Sequence, residues 1–219
     1  MIAMILAAGR GERMRPLTDN VPKPLLEVAG KPLIVHQIEA LASAGIERIV
    51  INTGRLGDQI QYHLGTGESF GVSLFYSEEG DAPLETAGGI VKALPLLGNE
   101  PFIVTNADIY SDFDYQTLPT EPDSDAHLVL VDNPPHNPDG DFALEKGCLH
   151  NEGLQQLTYS GIGLFYPHFF ENCVPGKSPL APLLRQSAIA NRLSGQHFKG
   201  YWRDIGTPER LEEVNKENT

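Results

Sequence analysis

Leu6-Ala7-Ala8-Gly9-Arg10-Gly11-Glu12-Arg13-Met14-Arg15-Pro16-Leu17-Thr18, with Pro22-Lys23-Pro24 just beyond it, is the stretch on which the reading of this chain turns. It follows an apolar run, Met1 to Leu6, whose length and composition predict a first β-strand. Two glycines let the backbone turn sharply and approach a ligand with no Cβ in the way. A loop of this kind points several N–H groups into one concavity, which suits an anion. Arg10, Arg13 and Arg15 lie inside the loop and Lys23 follows it, in a chain whose formal charge is −13. A polyphosphate is the simplest reason for so much local positive charge.

Three readings fit such a loop. A mobile Gly/Arg surface loop is the plainest. A dinucleotide-binding turn would use Gly9 and Gly11, but Met14 stands where its third glycine belongs, and the second strand, Arg48 to Ile51, ends in Asn52 rather than the acid that would hold a ribose. A Walker-type triphosphate loop fails because no Gly-Lys-Ser/Thr follows. Gly9, Gly11, Arg13, Pro16, Leu17, Thr18 and Pro22 to Pro24 together make a Gly-x-Gly-x-Arg-x-x-Pro-Leu-Thr loop followed by Pro-Lys-Pro. In this the chain closely resembles the sugar-1-phosphate nucleotidyltransferases.

Bulk composition narrows the partners. The 219 residues are 41% hydrophobic and 21% charged, an ordinary globular balance for one domain, with a nucleotide-binding part near 1–110 and a sugar-binding part near 111–219. The acidic excess argues against a nucleic-acid surface. No apolar run is long enough to span a bilayer, and Met1 to Leu6 carry no basic leader, so a cytoplasmic protein is expected. Cys148 and Cys173 make neither a disulfide framework nor a zinc pair and are expected as reduced, packed thiols. His36 and His63 fall on predicted helices. No repeat is present, and a monomer is the favoured state.

Strand and helix alternate through the first half. Strands are expected at 2–6, 48–51, 72–76 and 101–105, and helices over 32–44, around 56–64 and over 85–97, with Pro95 ending or kinking the last. That alternation predicts a Rossmann-like α/β fold, a mostly parallel sheet flanked by helices. The second half breaks the rhythm: strand 127–131, loop 132–140, a hairpin around Lys146-Gly147, strand 159–166, helix 182–192, strand 198–205, and a terminal helix opened by Thr207-Pro208. This predicts a small antiparallel part for the sugar.

Two carboxylates stand at expected strand ends: Asp108 in Val104-Thr105-Asn106-Ala107-Asp108, and Asp204 in Tyr201-Trp202-Arg203-Asp204-Ile205-Gly206-Thr207. An Asp in such a place can cap a turn, as Asp112 and Asp114 are expected to do. Two together suffice for Mg²⁺, which completes its shell with waters and substrate phosphates. The resemblance implies that role for both, with Ala107 replacing the family's usual glycine.

In Leu84-Glu85-Thr86-Ala87-Gly88-Gly89-Ile90, paired glycines cost about 2 kcal/mol of helix propensity. Close helix packing explains them, and so does a flat base lying on bare backbone. The resemblance implies that Ala8, Gly9, Gly11, Glu12, Arg13, Lys23, Glu85, Thr86, Gly88 and Asn106 bind the nucleotide, with Arg13 and Lys23 catalytic. It places the acceptor sugar on Asn106, Asp141, Glu145 and the Thr158-Tyr159-Ser160-Gly161 run. The family's Glu-Lys-Pro sugar loop is missing between the hairpin and the Tyr159 strand. The compact length, the Leu-Glu-Thr-x-Gly-Gly-Ile run, Asp132-Asn133-Pro134 and Gly140-Asp141-Phe142 look most like the subgroup that makes UDP-N-acetylmuramate and pyrophosphate from UTP and N-acetylmuramate-1-phosphate in peptidoglycan recycling. Its acceptor carries a lactyl carboxylate, for which Lys199, Arg203 and Arg185 are candidate cations. Other pairings remain as alternatives: dTTP with glucose-1-phosphate, GTP with mannose-1-phosphate, CTP with phosphocholine, or a non-catalytic nucleotide-sugar binder.

Overall fold

The apolar residue at every position of Ala3-Met4-Ile5 requires cover on both faces, because successive strand side chains point to opposite sides. A computed structural model, describing residues 1–80 and 82–218, supplies that cover. Ala3 and Ile5 face one buried cluster with Ile34, Ile38 and Leu41, while Met4 faces a second with Ala87, Ile90 and Leu97.

The first half runs β1 (Ile2–Leu6), β2 (Glu27–Val28), β3 (Lys31–Pro32), α1 (Leu33–Ser43), β4 (Arg48–Thr53), α2 (Gly57–Leu64), β5 (Ser73–Glu78), α3 (Glu85–Leu97), β6 (Phe102–Asn106) and β7 (Ile109–Ser111). The second half runs β8 (Ala126–Val131), β9 (Phe142–Glu145), β10 (Cys148–His150), β11 (Gln156–Phe165), α4 (Ala181–Ile189), β12 (Leu193–His197), β13 (Trp202–Asp204) and α5 (Pro208–Glu217). Nine strands form one sheet in the order β5-β4-β1-β6-β11-β8-β12-β10-β9. β5, β4, β1 and β6 are parallel, whereas β11 runs antiparallel to β6 and β8. β9 pairs with both β10 and the start of β11, so the sheet closes on itself at that end. The α/β expectation holds for the first half, and the second is a mostly antiparallel addition in which only β12 runs parallel to its neighbour β8 among the described residues.

Three local expectations are corrected. The last strand expected over 198–205 is shorter, β13, which leaves the main sheet to pair with β7, and an unexpected strand, β12, precedes it and continues the main sheet beside β8. Gly195 decides β12's fit, since a Cβ there would lie 2.9 Å from the Leu128 carbonyl. Pro95 does not end α3, which runs to Leu97. It sits exposed in the last turn, where the partner it denies to a carbonyl is replaced by solvent. Cys148 is exposed rather than packed, although both thiols are free as expected. No helix among the described residues is long and apolar enough to cross a membrane.

Candidate active site

Register places three residues in a row at the carboxyl edge of the parallel strands. Leu6 on β1 stands opposite Asn52 on β4 and Asn106 on β6. Ligands of open α/β sheets bind beyond this edge. Asn52 Oδ1 accepts the Ala7 N–H at 2.7 Å, its Nδ2 donates to Glu79 Oε1 at 2.6 Å, and Glu79 Oε2 accepts the Leu84 N–H at 2.9 Å. Gly89 makes room for that relay, for a Cβ there would lie 2.4 Å from Glu79 Oε1. The resulting cavity is lined by Ala8, Gly9, Lys23, Asn52, Glu79, Pro83, Glu85, Thr86, Asn106 and Asp108, among others.

The Gly-rich loop forms an adjoining cavity with Gly9, Arg10, Gly11, Glu12, Arg13, Lys23, Asp108 and Gly206. Gly11 takes φ +62°, and its carbonyl accepts from Thr18 Oγ1 at 2.7 Å and from the Met14 N–H at 2.9 Å. Any side chain at Gly11 would crowd Thr18 and Lys23 as well as the left-handed backbone. Met14 is fully buried with Val28, Leu33, Ile205 and Val214, which nails the loop to the body. The residue that spoils a dinucleotide turn is therefore the loop's anchor. Arg55 donates to the carbonyls of Thr18 and Asp19, tying the loop's far side to the start of α2.

Pairing of β13 with β7, and the Ile205 N–H donated to the Asp108 carbonyl at 2.8 Å, bring Asp108 and Asp204 onto neighbouring strand ends. Lys23 Nζ donates to Asp108 Oδ2 in a half-buried ion pair. Asp108 Oδ1 has no partner among the described residues. Asp204 Oδ2 accepts from Arg210 Nη1 at 2.6 Å, and Oδ1 lies 3.0 Å from His136 Nε2. Among the described residues no group of three or more His, Cys, Asp or Glu gathers to hold a metal. A donor set limited to two hard carboxylates fits Mg²⁺, which takes its remaining ligands from water and phosphate.

Several expected site residues stand elsewhere. Ser160 is fully buried: its hydroxyl donates to the Val129 carbonyl at 2.7 Å and accepts the Ile162 N–H at 3.1 Å, stitching a bulge in β11. Both of its hydroxyl bonds are thus spent within the fold. Asp141 Oδ2 accepts the Tyr159 N–H at 2.8 Å and the Asn137 amide at 3.2 Å, so the strand-entry role explains it. Glu145 is exposed at the β9–β10 turn. Gly88 is not at the cavity wall. Its N–H goes to the Ser178 carbonyl at 3.1 Å, and a Cβ would meet the Gly176 carbonyl at 2.1 Å, so close packing is its reason. Of the candidate cations, Arg185 lies over the Phe142 ring, Arg203 is 3.4 Å from Glu217, and Lys199 stands with Asp204 in a separate cleft. Sequence reasoning missed Glu79, Pro83, His136 and Arg210. Asn52 was visible, but only as the acid a ribose-binding strand lacks.

Residues 2–144 match the family described as nucleotidyl transferase. The chain is 52% identical over 98% of its length to N-acetylmuramate alpha-1-phosphate uridylyltransferase of Neisseria meningitidis serogroup B, covering 96% of that protein. It is 34% identical over 95% of its length to the protein of the same name from Caulobacter vibrioides, covering 93% of it. A solved structure of a putative glucose-1-phosphate thymidylyltransferase from Bacillus anthracis, in complex with a sucrose, superposes with a TM-score of 0.86 at 24% identity, over 100% of this chain and 95% of that one. A match spanning the loop, the Asn52–Glu79 relay and Asp108 leaves no room for the oxidoreductase or Walker readings: the chain belongs to the nucleotidyl transferase family.

Proposed function

We propose that this enzyme transfers a uridylyl group from UTP to N-acetylmuramate-1-phosphate, releasing pyrophosphate. The observation that carries the reading is the meeting of Lys23, Arg13 and Asp108 at one sheet edge, with Asp204 on the neighbouring strand end, in a chain half identical to a uridylyltransferase of that acceptor. UTP as donor accords with the cytoplasmic location expected from the sequence.

An acceptor phosphate oxygen attacks the α-phosphorus, a new P–O bond forms, and the bridging bond to the β-phosphate breaks with its electrons leaving on pyrophosphate. The attacking oxygen is already anionic at neutral pH, so the protein's work is positioning and charge. Lys23, released from Asp108, neutralises the two phosphates that must approach each other. Arg13 and the N–H groups of Gly11 and Glu12 hold the departing pyrophosphate. Mg²⁺ held by Asp108 and Asp204 would neutralise phosphate charge at the same place. Arg210 and His136 fix the direction of the Asp204 carboxylate. The base lies against Ala8 and Thr86, beside the Asn52–Glu79 relay.

Pyrophosphate release across four nucleoside triphosphates and a panel of sugar-1-phosphates tests the proposal. Preference for UTP with N-acetylmuramate-1-phosphate is expected. Preference for another pair would overturn the substrate while leaving the chemistry of Lys23 and the carboxylates standing.

A further inference from the structure

A second cavity, about 480 Å³, opens on the α3–α4 face of the sheet. It shares Leu6, Glu85 and Asn106 with the nucleotide cavity and adds Tyr159, Leu180 and Leu184, so it continues the same cleft away from the Gly-rich loop. Its walls are mainly apolar, and two polar features stand out. Tyr159 has no side-chain hydrogen-bond partner among the described residues, and burial pushes its phenol above the ordinary pKa, so the hydroxyl keeps its proton and is a donor without an acceptor. The residue is only half-buried and its oxygen is not sealed in the core, so the hydroxyl is open to a ligand or a water. The second feature is Glu85, which takes φ +59° although it is not glycine, and which pairs with Lys177 at 3.1 Å. Strain of that kind concentrates where a site requires it.

Lys177 reaches Glu85, a residue of the cavity wall, from a fixed segment. The Ser178 N–H donates to the Leu84 carbonyl at 2.9 Å and its carbonyl accepts the Gly88 N–H, an approach only glycine at 88 permits. The lysine itself remains mostly exposed, and a screened pair of this type holds its cation weakly. Resting on the proposed acceptor, we infer that this cavity takes the acyl arms of the sugar, with Tyr159 Oη donating to an arm's oxygen and Lys177 pairing with a carboxylate there. Leu180 and Leu184 suit the methyl ends of acetyl and lactyl groups. Tyr159 and Lys177 thus determine acceptor specificity rather than catalysis.

Steady-state kinetics with UTP and either N-acetylmuramate-1-phosphate or N-acetylglucosamine-1-phosphate decide it, since these differ by the lactyl arm alone. Lys177→Ala should raise KM for the muramate about tenfold, the scale of a charge-assisted contact, with kcat and both other KM values within about twofold. Lys177→Arg should restore it, and Tyr159→Phe should raise both acceptor KM values without changing that for UTP. Thermal melting verifies that each variant is folded. A wild-type enzyme without preference for the muramate overturns the functional reading and this inference with it. A wild-type preference that survives Lys177→Ala, or that falls instead with Lys199→Ala, overturns this inference alone.

Discussion

Lys23 and Asp108 neutralise each other in one ion pair, so removing either leaves the other's charge uncompensated. Lys23→Ala is expected to lower kcat about 100-fold or more, the scale of removing one preorganised donor from a transition state, with a far smaller effect on the melting temperature. Pyrophosphate-release kinetics beside a thermal melt check both halves of that statement. A second residue gives a pH signature. His127 is half-buried between Ser194 and Gln196, and burial holds its pKa below the ordinary value. The unfolded chain then binds this proton more readily than the folded one, so stability is full above about pH 6.5 and falls as the pH drops toward the lower folded value. Denaturant midpoints measured from pH 7.5 to 5.5 should decline, and His127→Gln should flatten the decline. At this scale the sequence singled out Arg13, Lys23, Asp108 and Asp204, and the structure sets Lys23 against Asp108 with Asp204 on the neighbouring strand end. It left Ser160 and Asp141 ambiguous, because a hydroxyl or carboxylate serves a bulge as well as a sugar, and the β11 geometry shows the first of these uses at both.

Elements were legible wherever one period dominated. The 3.6-residue spacing of Leu33, Ile34, Ile38 and Leu41 marks α1, and the apolar runs mark β1, β4 and β6. β12 was missed because Leu193-Ser194-Gly195-Gln196-His197 has a weak apolar pattern, and its pairing with β8 comes from tertiary context. Two-residue strands such as β2 and β3 carry no period at all. α3 offers a prediction. Gly88→Ala would gain about 1 kcal/mol of helix propensity but would drive a Cβ into the Gly176 carbonyl at 2.1 Å. Because backbone cannot swing aside as a side chain does, the clash should win, for a net loss of about 1–3 kcal/mol. Chemical denaturation reads that loss, and an unchanged or raised midpoint would refute the packing account of this glycine.

Across the whole molecule, the site is assembled from distant stretches: the Gly-rich loop, the β6–β7 turn and the β13–α5 junction. Asp108 and Asp204 meet only because β13 crosses to β7, which no local pattern announces. With the two proposed carboxylates as the protein's share, metal should be held loosely and exchange freely. Treatment with EDTA should abolish pyrophosphate release, excess Mg²⁺ should restore it, and Asp108→Asn should remain inactive at any Mg²⁺ concentration. Chelator-resistant turnover would contradict this. The small third core has a further consequence. Met14 in the Gly-rich loop is buried against Val214, two hundred residues later, and Asn215 grips the backbone at Glu27 and Ala29. A nascent chain on the ribosome therefore holds every strand of its main sheet before it has the helix that seats the loop, so the loop is fastened only after the sheet it serves is complete.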